Sequence, residues 1–270
     1  MKTKIYYDNS NNRLVFCNKK ATNDFWDKKW LQMLDKKAIT STSYFSRVVR
    51  VTKKYLPANS VILEGGCGTG HEVYALSKAG YKAIGIDYTQ KTVETIKKLV
   101  PELDVCVGDV RNLAFERETF DGYWSIGVIE HFYEGYESIA KEMARVLRPG
   151  GYLFLTFPTI SPLRKRLIYK KVFPLLKSDA GGKEPDGFYQ FALNWKDVKR
   201  RFTLLGFNLC KCTLFGAVKG FKDSMLWSKP MLQKFYNSSN SAVRIVRIIA
   251  DILFSRYCGH CALLVFKKNI

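Results

Sequence analysis

Glu64, Asp87 and Asp109 are three carboxylates that each close a short apolar run, and Gly65, Gly66, Gly68 and Gly70 stand directly behind the first of them. Val61-Ile62-Leu63 therefore reads as a strand breaking into a glycine-rich turn. Glycine has no Cβ, so Gly66, Gly68 and Gly70 can take positive φ and let a ligand approach backbone N–H groups closely. A carboxylate at the mouth of that turn sits badly beside a pyrophosphate and well beside a cation. The glycines run G-x-G-x-G, with His71 where a dinucleotide fingerprint has its last glycine. Further on, Glu130 and His131 are adjacent titratable groups just past another apolar run, placed for removing a proton from a hydroxyl.

These residues need elements to position them, and the pattern supplies them in order. Residues 71–79 carry Val73, Leu76 and Ala79 at helical spacing, and Gly80 is a stop. Residues 82–86 form a second strand, which ends in Asp87. Strand, glycine turn, helix, strand and terminal acid make the nucleotide-binding half of a doubly wound α/β sheet. A third strand over 104–110 contains Asp109, a fourth starts at Phe120 and runs towards Ile126 and His131, a helix covers 135–148, and a fifth strand covers 152–157.

Taken together, Glu64-Gly65-Gly66-Cys67-Gly68-Thr69-Gly70, Asp87, Asp109, the run from Phe120 to His131 and Arg148-Pro149-Gly150-Gly151 resemble the class I S-adenosylmethionine-dependent methyltransferases. The resemblance covers about residues 55 to 158 and is looser towards the C-terminus. It implies a Rossmann-like, seven-stranded, mostly parallel sheet with helices on both faces and an antiparallel edge strand. It also implies S-adenosylmethionine as cofactor, with S-adenosylhomocysteine as product. The family's pattern carries Glu64, Gly66, Gly68 and Gly70 to the methionine part of the cofactor, Asp87 to both ribose hydroxyls, and Asp109 with the Val110 amide to the adenine. Tyr88 and Ile126 would line the same pocket. Gly65 stands where the family usually has a larger apolar residue.

At 270 residues, 47% of them hydrophobic, the chain can bury a large core, and one methyltransferase domain over 1–270 is expected. Within it, residues 1–56 would form an N-terminal helical cover, 57–158 the cofactor-binding core, and 159–206 and 215–259 insertions on the acceptor side. Trp26, Trp30, Met33 and Leu34 put a helix over 25–34, either a lid on the cofactor cleft or an ordinary flank helix. A second helix spans 41–56. Residues 178–187 read as a loop, and Phe188 to Phe191 as a loop in which Tyr189 and Gln190 either line the acceptor pocket or merely pack. A helix covers 195–205, and strands cover 207–214 and 260–268. The 45-residue stretch between the last two is too long for a bare turn and must carry its own fold.

The net charge of +20 is unevenly spread: +9 over residues 1–60, −4 over 61–155 and +15 over 156–270. The basic character thus sits outside the cofactor core and speaks about the acceptor or its surroundings. Residues 161–177 hold six basic side chains and no acid among many apolars, which suits either an anionic membrane surface or a lid with solvated lysines. No apolar segment reaches transmembrane length and the opening residues lack a signal-peptide core, so a cytoplasmic protein is expected, peripheral to the inner face of the membrane if the cationic stretch meets lipid. The seven cysteines fit no disulfide framework. Cys210, Cys212, Cys258, His260 and Cys261 invite a zinc reading, but buried thiols packed as small hydrophobes account for them better, and no metal is expected.

Three functions remain open at this level. The first is methyl transfer to oxygen or carbon of a small-molecule, saccharide or lipid-linked acceptor, with His131 as base and Glu130, Tyr189 and Gln190 against the substrate. The second is methylation of tRNA or rRNA, which the charge would suit, though Ser125-Ile126-Gly127-Val128 is unlike a base-methylation motif. The third is a non-catalytic scaffold with the same fold, against which the three intact acids count.

Overall fold

The computed structural model describes residues 3–41, 46–176 and 183–270. The chain opens with an antiparallel hairpin, β1 (Lys4–Asp8) and β2 (Arg13–Cys17), whose turn is tied by the Asp8 carboxylate to the Asn11 amide and the Arg13 guanidinium. Helices α1 (Asn23–Leu31), α2 (Lys36–Thr40) and α3 (Arg47–Thr52) follow, each started by a side chain, Thr22, Asp35 or Ser46, that accepts from the amide three residues on.

Strand and helix then alternate through β3 (Val61–Gly65), α4 (His71–Lys78), β4 (Lys82–Asp87), α5 (Gln90–Leu99), β5 (Val105–Val107), β6 (Phe120–Ile126), α6 (Glu137–Val146) and β7 (Leu147–Pro158). The chain continues as α7 (Pro162–Tyr169), β8 (Phe188–Ala192), α8 (Trp195–Leu204), β9 (Phe207–Phe215), α9 (Ala217–Ser224), α10 (Lys229–Asn237), α11 (Ser241–Cys258) and β10 (Cys261–Lys268).

Seven strands form one sheet in the order β5-β4-β3-β6-β7-β10-β9. All its pairs are parallel except those of β10, which runs antiparallel to β7 and to β9. Side-chain alternation sorts the core by face. Leu63 and Tyr123 enter one apolar cluster with Ile139, Met143 and Phe202, while Ile62 and Trp124 enter another with Val73, Leu76, Val93 and Ile96. Helices therefore cover both faces, and the strands read as unbroken apolar runs for that reason. This is the Rossmann-like architecture expected from the sequence.

Several expected elements change. The segment 1–56 is not wholly helical, because it begins with the β1–β2 hairpin, and the supposed loop 188–191 is strand β8, which pairs with β2. These strands build a second sheet, β1-β2-β8, that packs through Leu14 and Phe16 against Leu163, Leu167, Ala217 and Cys258. The helix expected over 25–34 ends at Leu31, and that over 41–56 is reduced to α3, with 42–45 outside the described residues. Of the basic stretch 161–177 only α7 is helical; residue 177, and 178–182 of the expected loop, lie outside the described residues. The third strand is only three residues long, so Asp109 stands in the turn beyond it, where its carbonyl accepts the Asn112 amide. The long insertion after β9 folds as α9, α10 and α11.

Candidate cofactor and acceptor site

The glycine turn has the backbone its sequence requires: Gly66, Gly68 and Gly70 have φ of 76°, 51° and 71°. Its amides are less free than expected. Gly66 and Cys67 both donate to the Ile86 carbonyl, at 2.8 and 2.9 Å, and Gly68 donates to Asp87 Oδ2 at 2.8 Å. The turn is thereby stitched to the end of β4. Asp87 Oδ1 accepts from the Thr89 amide and hydroxyl, at 3.0 and 2.7 Å. A carboxylate offers about four lone-pair sites, so Asp87 is held in a fixed orientation with one site on Oδ2 still available.

Glu64 is 4% exposed and its Oε2 has no hydrogen-bond partner among the described residues. Burial, with Glu72 and Asp87 nearby, holds its carboxyl well above the usual carboxylate range. On neighbouring β6, Ser125 is paired in register with Gly65, and its buried Oγ is also without a partner; so is Oε2 of Glu130, just beyond. Three orphaned oxygens thus gather at the C-terminal ends of adjacent parallel strands, where ligands of open α/β sheets bind. A cationic amino acid moiety at Glu64 and a ribose at Asp87 would satisfy what the chain leaves unpaired. The residues fit S-adenosylmethionine.

The adenine side is organised differently from expectation. Asp109 is gripped by Arg111, whose Nε and Nη2 donate at 3.0 and 2.7 Å, and Arg111 lies over the Phe132 ring. Its carboxylate is therefore largely engaged within the chain, and its pKa is pulled down, chiefly by that hydrogen bond. Val110 is buried in the core, Ile126 is half-buried, and Tyr88 is exposed beside Asp87. Tyr88 directly follows Asp87, Ile126 is the last residue of β6 and Val110 lies in the turn beyond β5, so all three stand at the C-terminal ends of their strands.

Glu130 and His131 sit on a single 3-10 turn, Ile129–His131, that follows β6. His131 Nδ1 is 2.6 Å from the Tyr189 carbonyl, which can only accept, so Nδ1 carries the proton and Nε2 keeps its lone pair. Nε2 faces Glu130 Oε1 at 4.0 Å. Burial drives both groups towards neutrality: Glu130 is pushed up to about 8 and His131 down to about 4. The structure thus brings together three of the four residues singled out for the acceptor side, Glu130, His131 and Tyr189, while Gln190 lines the cavity beyond Tyr189.

An aromatic roof closes the site, built on the helix that the sequence left as either a lid or a flank. Trp26 stacks on Trp30 at 5.4 Å and meets His131 edge-on at 4.8 Å and Tyr189 at 6.3 Å. Lys29 lies over both indoles, 4.3 and 4.7 Å from their centroids. Trp30 faces the glycine turn, its ring carbons 3.1 Å from where a Cβ on Gly68 would stand. Helix α1 is pinned there by Asp27, which accepts from the amide and hydroxyl of Thr92 at the start of α5. The helical spacing of the tryptophans was visible in sequence; their partners came from distant segments, His131 from the turn after β6 and Tyr189 from β8.

Beyond Tyr189 lies a cavity of about 260 Å³ between the second sheet and the insertion, lined among others by Phe16, Tyr189, Gln190, Lys219, Lys222 and His260. Lys222 is paired with Asp223, whereas Lys219 makes no ion pair among the described residues. Below this cavity Arg164 is 1% exposed, donating to the Thr159 and His260 carbonyls and lying 3.0 Å from His260 Nδ1. That arginine, counted in sequence as part of a surface cationic stretch, instead bolts α7 to β10 and, through Ser224, to α9.

The family model described as a methyltransferase domain matches residues 63–155, which run from β3 into β7. A demethylmenaquinone methyltransferase of Staphylococcus saprophyticus is 32% identical over 183 residues, covering 62% of this chain and 78% of that protein. A human protein named probable tRNA methyltransferase 9B is 43% identical over 98 residues, 36% of this chain and 21% of that one. The chain spans less than half the length of the first curated relatives it matches. Among solved structures, a SAM-dependent methyltransferase of Methanosarcina mazei shares the fold, with a TM-score of 0.54, 17% identity, and coverage of 82% of this chain and 97% of that one. Glycine turn, oriented acid, orphaned carboxylate, strand order and relatives agree, and the chain belongs to the class I S-adenosylmethionine-dependent methyltransferase family.

Proposed function

We propose that the chain transfers a methyl group from S-adenosylmethionine to an oxygen or carbon of a small-molecule, saccharide or lipid-linked acceptor, releasing S-adenosylhomocysteine. The bound cofactor supplies a methyl carbon already activated by cationic sulfur. The chain's own work is then to hold the acceptor atom in line and to take its proton, and positioning alone can supply roughly 7–11 kcal/mol.

Glu64, Ser125 and Asp87 hold the cofactor from one side, with Tyr88, Val110 and Ile126 around it and Asp109 and Arg111 at the adenine end. The Glu130–His131 turn is the proton acceptor. A base works best with a pKa near the working pH, and Glu130 at about 8 meets that condition. The observation that carries this reading is the buried Glu130 carboxyl, whose Oε2 has no partner among the described residues and whose Oε1 faces the free Nε2 of a neutral imidazole at 4.0 Å. Tyr189 orients His131 through its carbonyl, and its side chain borders the cavity that also holds Gln190 and Lys219. An unpaired lysine in that wall favours an acceptor with a negative group. The staphylococcal relative is named for a quinone acceptor, which supports a lipid-soluble one here. We place the enzyme in the cytoplasm at the inner face of the membrane, with its basic flanks towards the anionic surface.

A second reading, tRNA methylation, is favoured by the human relative's name and by the net charge of +20, although that match is confined to the core. Incubation with radiolabelled S-adenosylmethionine and fractionated lipids, glycans and RNA from the source cells separates the two. Label in lipid or glycan supports the first reading. Label confined to RNA overturns it, and no label in any fraction, with cofactor binding intact, leaves a non-catalytic scaffold.

A further inference from the structure

Helix α11 is turned inside out for a surface helix. Its body-facing side carries Arg247, Asp251, Ser255 and Cys258, at spacings of four, four and three, with Val243 and Ala250 half-buried beside them. The two charged residues of that side are engaged by the fold. Asp251 caps the start of α9, accepting from the amides of Gly216 and Ala217, and Arg247 donates to the carbonyls of Tyr236 and Ser238 at the end of α10. Ser255 and Cys258 are buried. Outside stand Ile245, Ile248, Ile249, Ile252 and Leu253, between 48% and 75% exposed. A helix packed on a soluble core alone shows the reverse arrangement.

The charge around this face has one sign. Asp251 is the only acid in 225–260, and it points inward, whereas Lys234, Arg244 and Arg256 are exposed. Trp227 and Met231, at and before the start of α10, add 72% and 66% exposed apolar side chains. Helix α7, from the cationic stretch noted in sequence, packs against α11 and ends at Tyr169, 88% exposed. An apolar centre with a cationic rim, on an 18-residue helix not apolar enough along its length to cross a membrane, suits a helix lying in the plane of an anionic lipid surface.

We propose that α11, together with the exposed apolar residues at the start of α10, docks this face into the headgroup region of an anionic bilayer. The docking does not depend on what the chain methylates. Both helices pack on α9, and Gln233 of α10 and Lys219 of α9 line the cavity beyond Tyr189, so docking holds that cavity near the lipid surface.

Co-sedimentation of the full chain with vesicles tests this. The chain should bind phosphatidylcholine vesicles containing phosphatidylglycerol and bind phosphatidylcholine alone far more weakly. Ile248→Ser with Ile252→Ser should cut binding by about tenfold or more. Arg244→Glu and Arg256→Glu should each cost about fivefold on anionic vesicles only. Cofactor affinity, measured by calorimetry, should be unchanged in all of these variants, which shows that the fold is intact and separates this test from the methyl-transfer reading. The proposal is overturned if the wild-type chain ignores anionic vesicles or if the serine variants bind them as well as it does. It is equally overturned if the chain sediments as a dimer that the serine substitutions dissociate, since a second copy would then cover the face.

Discussion

Tyr123 occupies the space in which residue 65 would carry a side chain. A Cβ on Gly65 would overlap the Tyr123 hydroxyl and stand 2.7 Å from its ring Cζ. This accounts for a glycine where the family usually has a larger apolar residue: the neighbouring strand has filled the volume instead. Gly65→Ala should therefore destabilise the chain by about 1–3 kcal/mol, read from urea unfolding. Tyr123→Leu in the same background should recover part of that loss. Strictly additive effects would show that the two sites do not touch.

Asp87 serves the glycine turn and the cofactor at once. Asp87→Ala removes the partner of the Gly68 amide and of Thr89 as well as the ribose acceptor, and it should weaken cofactor binding by about tenfold or more. Thr89→Ala leaves the carboxylate but frees its orientation, so calorimetry should show a smaller loss. Unchanged affinity for Asp87→Ala would mean that the strand register assigned to the site is wrong.

Burial pushes the Glu64 carboxyl well above the usual carboxylate range in the unliganded chain, and a cationic ligand beside it would pull it back down. Cofactor binding should therefore release a proton. Calorimetric enthalpies in buffers of different ionisation heat should differ accordingly, and Glu64→Gln should abolish the difference. Equal enthalpies in every buffer for the wild-type chain would remove Glu64 from the ammonium end of the site.

The parts of this site that were legible in sequence are those fixed by neighbours along the chain. Val61 to Gly70 needed only β-branched residues followed by glycines, and Asp87 needed only to end a strand. The chain kept hidden what depends on distant partners. β8 reads as a loop because Phe188 to Phe191 lacks alternation, and it becomes a strand only when the β1–β2 hairpin lends it hydrogen bonds. Trp26 reads as a lid or a flank until Tyr189 and His131 are brought beside it. Arg164 looks like surface charge because nothing local announces that Thr159, Ser224 and His260 will surround it. Ser125, whose orphaned oxygen joins the site, had no signal beyond its place in β6.

The roof formed by α1 hangs on one side chain. Asp27 binds the first turn of α5, where the helix dipole favours a carboxylate, and this holds Trp26 and Trp30 over the glycine turn. Asp27→Ala should speed cofactor dissociation several-fold in stopped-flow measurements, with a smaller effect on association. Its melting temperature should stay near that of the parent, since Trp26 is the one buried side chain that α1 contributes. An unaltered dissociation rate would assign α1 to the flank of the domain.

Glu130 and His131 make opposite contributions to stability as pH changes. Glu130 is raised from 4.5 to about 8, so over that interval the folded chain keeps a proton that the unfolded chain has lost, and stability falls as pH rises. His131 is lowered from 6.5 to about 4, so over that interval the unfolded chain holds the extra proton and stability rises with pH. The two oppose each other between the ordinary values of 4.5 and 6.5, and Glu130 acts alone from there to about 8. There its slope reaches at most about 1.4 kcal/mol per pH unit. Glu130→Gln should flatten the decline on that alkaline side. The same two values decide which group takes the acceptor's proton. With Glu130 as base, kcat/KM should climb with pH and level off past about 8; with His131 as base, it should already be flat above pH 5 or so, because the imidazole is neutral there. A flat profile that Glu130→Gln leaves untouched would take the carboxylate out of the chemistry and leave the imidazole held by Tyr189 to do it.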